Sequence, residues 1–396
     1  MKKAVVPPAI YPAVLTVILL LAGTVSTAAQ TRVRQLAEFS ANTQIEFEEL
    51  GTSVAISGDV AVVGASSDAE LGAAYVYVKP STGWGNMTQT ATLTASTGNG
   101  RDGFGQFVAI SGDTIVVAGQ YSGTVYVYVK PAGGWVDMTE TAQLTASESA
   151  TYFGSGLAIS GDTVVVGAYG TNDLVGTAYV YQKPTAGWVD MQQTGKLLTP
   201  TTAENFGTSV AISGNTVAVG APDSFEDTGA VYIYTKPSGG WKDVESNATL
   251  TSAVSYPGDF GQTVAISGST VVVGAYTAGS QRTGEAYIFE KPATGWTTMT
   301  ETADLNAPAD GRFFGWSVGV SGNIVIVAAP QASPNTAFIF LKPATGWTST
   351  STANAFVRAK DGVYGDLFGN TVSISGSTAI VGAPDHNVDS GAAFVY

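Results

Sequence analysis

The 396-residue chain contains no cysteine and a single histidine, and only 12% of its residues are charged. Without cysteine it can form no disulfide, no thiolate metal site and no cysteine nucleophile. Its formal net charge of −14 is repelled by phosphate backbones, so we expect no nucleic-acid partner. The abundant residues are glycine (48), tyrosine (17), valine and threonine, a composition that favours many short strands and tight turns.

The sequence also has no apolar run long enough to cross a membrane as a helix. The apolar run near the N-terminus, Ala13 to Gly23, has 11 residues, whereas a spanning helix needs about 20. Lys2 and Lys3 precede this run and Ala28 and Ala29 follow it, which is the layout of a secretory signal peptide. We expect residues 1–29 to be a cleaved signal peptide, with an uncleaved anchor as the alternative. Residues 30–396 are then one secreted or cell-surface domain without stable membrane insertion.

A phrase close to FGxxVAISGDTVVVGA recurs seven times along the chain, at spacings of 49 to 54 residues. Its opening pairs are Leu50-Gly51, Phe104-Gly105, Phe153-Gly154, Phe206-Gly207, Phe260-Gly261, Phe314-Gly315 and Phe368-Gly369. Each copy predicts four strands, which in the fourth copy are Ser209 to Ser213, Thr216 to Gly220, Gly229 to Tyr234 and the region of Ala248 to Thr251. One such sheet cannot bury both of its faces alone. Seven copies therefore predict an all-β fold, a seven-bladed β-propeller with four antiparallel strands per blade.

The two ends of the chain predict how this ring closes. The seventh copy reaches Tyr396 at the end of its third strand, without a fourth. Near the N-terminus, Arg34 to Ala37 resembles the fourth-strand phrase Gln143 to Ala146. We expect this N-terminal strand to pair with the strand ending at Tyr396 and to complete the last blade.

Several of these phrases resemble a known repeat. The FG opening, the Gly-Ala-Pro at 220–222 and 382–384, and Gly229 to Tyr234 (GAVYIY) resemble FG-GAP repeats, which form the integrin α-subunit propeller and occur in many exported microbial proteins. The resemblance implies the propeller fold and, in integrin-type repeats, a calcium loop between the first two strands. Here that loop shrinks to Ser-Gly plus Asp59, Asp113, Asp162, Asn215, Ser269, Asn323 or Ser377. Because calcium takes six to eight oxygen ligands, we expect no calcium in these turns and no other cofactor.

A Lys-Pro-x-x-Gly-Trp loop on the same face follows the third strand of six copies. Its tryptophans are Trp84, Trp135, Trp188, Trp241, Trp296 and Trp347. These rings are either sugar-stacking platforms of a multivalent lectin, whose equal sites would give avidity, or packing residues that cover the gaps between blades. We favour packing, because a near-identical loop in every blade solves the same packing problem.

Loops on the opposite face differ most in length and composition, and such loops tend to carry function. They contain acidic candidates for ligand binding, with one histidine among them: Asp68, Glu70, Asp173, Asp223, Glu226, Asp227, Asp385, His386 and Asp389. The acids either serve solubility and turn capping or form a negative funnel for cations, amines or a basic partner. A lone histidine completes no catalytic triad, and we expect His386 to be solvated.

Together these observations favour a binding protein over an enzyme. We expect an exported, monomeric, non-catalytic propeller that recognises a protein or a glycan through the variable acidic loops, for example in adhesion. The alternatives are an exported hydrolase or lyase that uses carboxylates on the acidic face, and the multivalent lectin. No residue can be singled out as catalytic.

Overall fold

The computed structural model describes residues 30–42, 49–66, 72–98, 102–119, 121–201, 203–254, 257–279, 282–308 and 311–396. The predicted signal peptide, residues 1–29, lies outside them. The described residues form seven small sheets arranged in a ring, a seven-bladed β-propeller. Blades 1 to 7 are numbered by the seven copies of the repeat. No helix in the described part of the chain is both long and apolar enough to span a membrane.

Each blade has four antiparallel strands, ordered from the central axis outward. The inner strands of blades 1 to 7 are Leu50–Ser57, Phe107–Ser111, Gly156–Ser160, Ser209–Ser213, Thr263–Ser267, Val318–Ser321 and Thr371–Ser375. The second strands are Val60–Ala65, Thr114–Ala118, Thr163–Ala168, Thr216–Ala221, Thr270–Ala275, Ile324–Ala329 and Thr378–Ala383. The third strands are Ala73–Val78, Val125–Val129, Thr177–Gln182, Ala230–Thr235, Glu285–Glu290, Thr336–Leu341 and Ala392–Val395. The outer strands are Ala91–Thr94, Ala142–Thr145, Gly195–Leu197, Ala248–Thr251, Ala303–Asn306, Ala355–Val357 and Ala37–Ser40.

Short extra segments join neighbouring blades. Four two-residue strands pair in parallel with the outer strand of the preceding blade: Met87–Thr88, Met138–Thr139, Met191–Gln192 and Met299–Thr300. The strand Thr31–Arg32 from the N-terminus pairs in the same way with the outer strand of blade 6. Two four-residue helical turns, Ser224–Asp227 and His386–Asp389, follow the second strands of blades 4 and 7.

The N-terminal strand closes the ring, as the sequence predicts, but it lies three residues further along. Ala37–Ser40 pairs antiparallel with the third strand of blade 7, with Ala37 opposite Val395 and Phe39 opposite Ala393. The burial of the Phe39 side chain explains why the strand pairs in this register. Phe39 is fully buried and stacks on Tyr77 with ring centroids 4.2 Å apart. The phrase AEFS, and not RQLA, is therefore the counterpart of the outer-strand phrase AQLT in blade 2.

The core consists of seven clusters, one between each pair of neighbouring blades. The phenylalanine of the FG pair lies in such a cluster and packs against aromatic residues of its own third strand. Phe153, for example, lies 5.7 Å from Tyr179 and 6.4 Å from Tyr181, measured between ring centroids. Fully burying one such ring stabilises the fold by about 1.5–3 kcal/mol. No blade has a core of its own, which explains why the repeats need their neighbours.

The glycines of the FG and Gly-Ala-Pro phrases meet across the gap between blades. A Cβ added to Gly220 of blade 4 would lie 2.0 Å from the carbonyl oxygen of Gly261, the FG glycine of blade 5. Gly382 of blade 7 meets Gly51 of blade 1 in the same way, at 2.1 Å. The FG glycine also has a positive φ, +97° at Gly261, which other residues adopt at a cost. Both motif glycines therefore follow from one close backbone contact.

A ring of seven hydrogen bonds runs around the opposite end of the inner strands. The turn glycine of each blade donates its backbone N–H to the serine Oγ that ends the inner strand of the preceding blade. Gly112 donates to Ser57 at 3.3 Å and Gly376 donates to Ser321 at 2.9 Å. Gly58 donates to Ser375 at 3.1 Å and closes the circle. The Ser-Gly phrase is thus an interblade contact as well as a hairpin turn.

Candidate functional site

The six Lys-Pro-x-x-Gly-Trp loops hold their tryptophans inside the gaps between blades. Trp135, Trp188, Trp241, Trp296 and Trp347 are only 5–8% exposed, and Trp84 is half-buried against Phe39. The indole nitrogen of all six is buried. Five of these rings are covered by two blades and offer little face to a sugar, which supports the packing interpretation over the alternative of six sugar-stacking platforms.

The rest of this loop fastens each blade to the preceding one. We call the second residue after the tryptophan the latch residue; its side-chain oxygen accepts a backbone N–H from the neighbouring outer strand. Asp137 accepts from Thr92 at 2.8 Å, and Asp190 from Gln143 at 2.9 Å. The other latch residues with this contact are Asn86, Asp243, Thr298 and Ser349.

The lysine of the loop donates its backbone N–H to the turn between the first two strands in all six blades, and in three of them its side chain also pairs with an aspartate of that turn. Lys79 lies 3.2 Å from Asp59 and Lys183 lies 3.3 Å from Asp162; Lys130 pairs with Asp113. The turn glycines have φ values of +56° to +60°, and glycine at the first central position is typical of a type II′ hairpin. The absence of calcium from these turns stays a prediction.

The opposite face, formed by the loops from second to third strand and from outer to inner strand, surrounds one end of the central channel. We call it the variable face. The residue after each FG pair lines the channel there and forms a ring that we call the mouth: Thr52, Gln106, Ser155, Thr208, Gln262, Trp316 and Asn370. The mouth encloses about 320 Å³, and the section below it, lined by valine, alanine and isoleucine, about 260 Å³. The mouth is thus an uncharged polar ring above an apolar wall.

Trp316 is the aromatic member of the mouth. It is 38% exposed, and its ring lies 4.9 Å from Tyr276 and 6.2 Å from Phe313. Burial raises the pKa of the Tyr276 hydroxyl, and the nearby Asp259 raises it further. Sequence reasoning missed Trp316, although a signal was present. It is the one tryptophan outside the repeated loop, and it occupies a position where the other copies have a small or amide side chain.

The predicted acidic candidates lie on several different blades. Asp173 is exposed on blade 3, whereas Asp223 and Asp385 are half-buried on blades 4 and 7. The Asn205 amide donates to the Asp223 carboxylate. Asp68 and Glu70 lie outside the described residues, as do the side chains of Glu226, Asp227 and Asp389. The described acids therefore lie on three separate blades of the variable face and form no shared cluster.

The expectation that His386 is solvated is wrong. Its side chain is 4% exposed, and its Nδ1 lies 2.7 Å from an Asp366 carboxylate oxygen. The imidazole packs edge-to-face on Phe394, 5.2 Å away. Equivalent loop positions in blades 4 to 6 hold the small buried residues Ser224, Ala278 and Ala332. The histidine fills an interior position, so the polar residues next to it in the sequence wrongly indicated exposure to solvent.

The repeat matches a known family along most of the chain. A profile described as FG-GAP repeat matches residues 34–77, 87–128, 138–181, 198–234, 246–289 and 352–396. The chain belongs to the FG-GAP repeat family. The stretch between 289 and 352 is unmatched, yet it forms most of blade 6 of the FG-GAP propeller, with the inner strand Val318–Ser321.

Comparison of structures agrees with the fold. A solved structure of a candidate 6-phosphogluconolactonase from Bacteroides uniformis superposes with a TM-score of 0.55. The two proteins are 12% identical, and the alignment covers 75% of this chain and 82% of the other. At that identity the likeness shows the fold alone. A search of curated proteins found no match.

Proposed function

We propose that this FG-GAP propeller is an exported, non-catalytic binding protein that holds one glycan or protein ligand on its variable face, centred on the mouth. The observation that supports this most is the composition of the mouth. The repeat constrains the residues around it, whereas the seven mouth positions hold five different residue types and include the exposed Trp316. Export rests on the predicted leader.

The chemistry of the mouth suits a ligand rich in hydroxyl or amide groups. Gln106, Gln262 and Asn370 offer amide donors and acceptors, and the threonine and serine members offer hydroxyls. The face of Trp316 offers a broad apolar surface with a polar N–H at its edge. Binding sites commonly combine apolar walls with a few convergent polar groups. The acids around the rim, such as Asp173 and Asp223, would steer a cationic ligand toward the mouth.

The alternative of a hydrolase or lyase finds less support at the mouth. General acid–base catalysis needs a titratable side chain within hydrogen-bond reach of the reacting group. None of the seven mouth residues is a carboxylate or a histidine. His386 is buried and turned toward Asp366, away from solvent.

The proposal predicts a single site per chain. A glycan array and a protein-binding screen on the full chain identify the ligand, and titration calorimetry should then give a stoichiometry of one. Trp316→Ala and Gln262→Ala should each weaken binding at least about tenfold, since hot-spot residues typically cost about 2 kcal/mol or more. Leu341→Ala, an exposed apolar residue at the other end of a strand, is the control and should leave affinity unchanged.

Two results would overturn this proposal. One is a ligand that binds Trp316→Ala and the parent with equal affinity. The other is turnover of the bound ligand by the parent protein. If the rim acids steer the ligand, replacing Asp223, Glu226 and Asp227 by amides should lower the association rate and its dependence on salt.

A further inference from the structure

A cavity of about 200 Å³ lies between blades 6 and 7, at the edge of the variable face. Three cationic side chains line it, those of Arg32, Arg358 and Lys360, together with Asn335 and Phe368. The protein has 17 lysines and arginines against 31 acids. A cavity lined by three cations is therefore unusual in a protein whose net charge is strongly negative.

Arg32 departs from the rule that the other repeats follow. It occupies the latch position of the seventh repeat, because the neighbouring Val33 donates its N–H to Phe356 and Gln35 accepts the N–H of Lys360 at 2.9 Å. In the second repeat the corresponding Glu140 accepts the N–H of Ser96 of blade 1, also at 2.9 Å. The six other latch residues are oxygen acceptors. Arg32 is exposed and instead places a positive charge at the edge of the gap.

The Arg32 guanidinium is held by neutral groups. One terminal nitrogen (Nη2) donates to the carbonyl oxygens of Arg358 at 3.3 Å and Ala359 at 3.2 Å. Among the ion pairs of the described residues, none includes Arg32. Its charge is thus oriented by the backbone without a carboxylate to compensate it.

The Arg358 guanidinium is oriented as well. Its Nε donates to the Thr336 hydroxyl at 2.7 Å, and its carbon atom Cζ lies 4.5 Å from the centroid of the Phe356 ring. Stacking on a ring and a hydrogen bond at Nε leave little rotational freedom. Lys360 is exposed beside it. Two prearranged guanidinium groups and an exposed ammonium therefore line one small cavity.

The corresponding gap between blades 1 and 2 provides an internal comparison. The cavity there encloses about 80 Å³ and is lined by Ser96, Thr97, Asp102 and Tyr126 among others, with no lysine or arginine among its described lining residues. The fold alone therefore does not require a cationic lining at such a gap.

We propose that the cavity between blades 6 and 7 binds an oxyanion, the carboxylate, sulfate or phosphate group of a small ligand, between Arg32 and Arg358. The planar guanidinium matches the oxygens of such groups in two parallel hydrogen bonds. The volume is below the 300–1,000 Å³ usual for drug-sized ligands, so the site takes one charged group or a single acidic sugar. Of the nearby acids, Asp366 is buried and turned to His386, and Asp361, which follows Lys360 in the chain, is exposed. This site is separate from the mouth.

Titration calorimetry on the full chain tests this inference with four probes: inorganic sulfate, inorganic phosphate, glucuronate and neutral glucose, at ionic strength matched with chloride. We expect at least one anion to bind with a stoichiometry of one, and glucose not to bind. Arg32→Asn introduces the latch residue of the first repeat, so it should keep the fold and weaken anion binding at least tenfold. Arg312→Asn, an exposed arginine elsewhere, is the matched control and should bind as the parent does.

The probes separate the sources of the anion. Glucuronate binding without sulfate or phosphate binding supports an acidic sugar, and binding of the inorganic anions supports a free or esterified oxyanion. Lys360→Gln gives a second variant whose side chain is exposed and whose fold should be unaffected. Absence of anion binding to the parent, or equal binding by Arg32→Asn and the parent, would overturn the inference. Trp316→Ala should not change anion binding, so this site and the mouth can fail independently.

Discussion

The second residue of the outer strand shows how one repeat position acquires different properties from one blade to another. Blades 1 and 4 have threonine there, Thr92 and Thr249, but blade 5 has Asp304 and blade 7 has Glu38. Burial raises the pKa of the Asp304 carboxyl, and the charges of Glu301 and Glu285 raise it further. Burial also raises the pKa of Glu38, with Asp361 adding to it and His386 opposing it. Both carboxylates therefore destabilise the folded state when they are ionised.

Asp304→Thr should raise the melting temperature at pH 7, by roughly 1–2 °C for a domain of this size. The folded-state pKa of Asp304 lies above its ordinary value, so the folded state holds the proton more tightly. The cost of ionisation is then absent below the ordinary pKa and complete above the raised one. The gain from the variant should shrink as pH falls through that window. Thermal melts from about pH 7 to about pH 4 check this, with exposed Asp173→Asn as the control. A gain that is independent of pH would contradict it.

At the scale of the element, the turn glycine and the FG glycine of each repeat are required for different structural reasons. The turn glycine, Gly268 in blade 5, has a φ of +58° and no atom within 4 Å of an added Cβ. The FG glycine, Gly261, has a φ of +97°, and an added Cβ would lie 2.7 Å from the carbonyl oxygen of Ala230. The first position needs only a left-handed backbone, whereas the second also needs space against the preceding blade.

Gly268→Ala should therefore cost about 1 kcal/mol of unfolding free energy, the price of a left-handed alanine. Gly261→Ala should cost at least about 2–3 kcal/mol, because a backbone clash adds to the strain. Chemical denaturation of both variants measures the difference, with the turn variant serving as the control for the change of residue type. Equal costs for the two variants would show that the interblade glycine contact does not restrict the backbone.

At the scale of the molecule, the N-terminal segment supplies both the outer strand of blade 7 and a strand that pairs with blade 6. In the other blades these two parts belong to one continuous repeat. Ala37–Ser40 is the outer strand of blade 7, and Thr31–Arg32 pairs with the outer strand of blade 6. Phe39 fills the gap between blades 7 and 1 beside Tyr77 and Trp84. The same ten residues thus hold three blades together.

Deleting residues 31–40 should lower the stability of the whole propeller in a single cooperative step. Loss of the Phe39 side chain alone should cost about 3–5 kcal/mol, so Phe39→Ala is a milder version of the same change. Each blade buries its faces only on its neighbours, so an open ring loses support on both sides of the gap. Calorimetry should show one transition at a lower temperature for both variants. A deletion variant that melts like the parent, or a separate early transition from one blade, would contradict ring closure by this strand.

How far the sequence predicted the fold depends on which residues carried the signal. The seven copies predicted seven blades, and Ser209–Ser213 and Ala248–Thr251 begin and end where expected. The closing strand was predicted but shifted, because RQLA resembles the outer-strand phrase in letters while AEFS matches it in burial. At the candidate site the sequence pointed to the variable face. Trp316 stands out in the sequence as the one tryptophan outside the repeated loop, but its place beside the central channel follows only from the ring of seven blades.

The amino-acid sequence by itself determined the repeat unit and its strands and turns, because those follow from local periodicity and from glycine geometry within about 53 residues of chain. It also indicated the closure of the ring, because the N-terminus has a spare outer-strand phrase and the seventh copy lacks one. Only the tertiary structure decided which repeated side chains are accessible. Trp241 and Trp316 are the same residue type, yet one is 5% exposed and the other 38%. His386 and Arg32 lie in gaps between blades, and their surroundings come from residues 20 and more than 320 positions away. Whether a side chain in a propeller is buried depends on the neighbouring blade, and the local sequence does not show which residues of that blade lie against it.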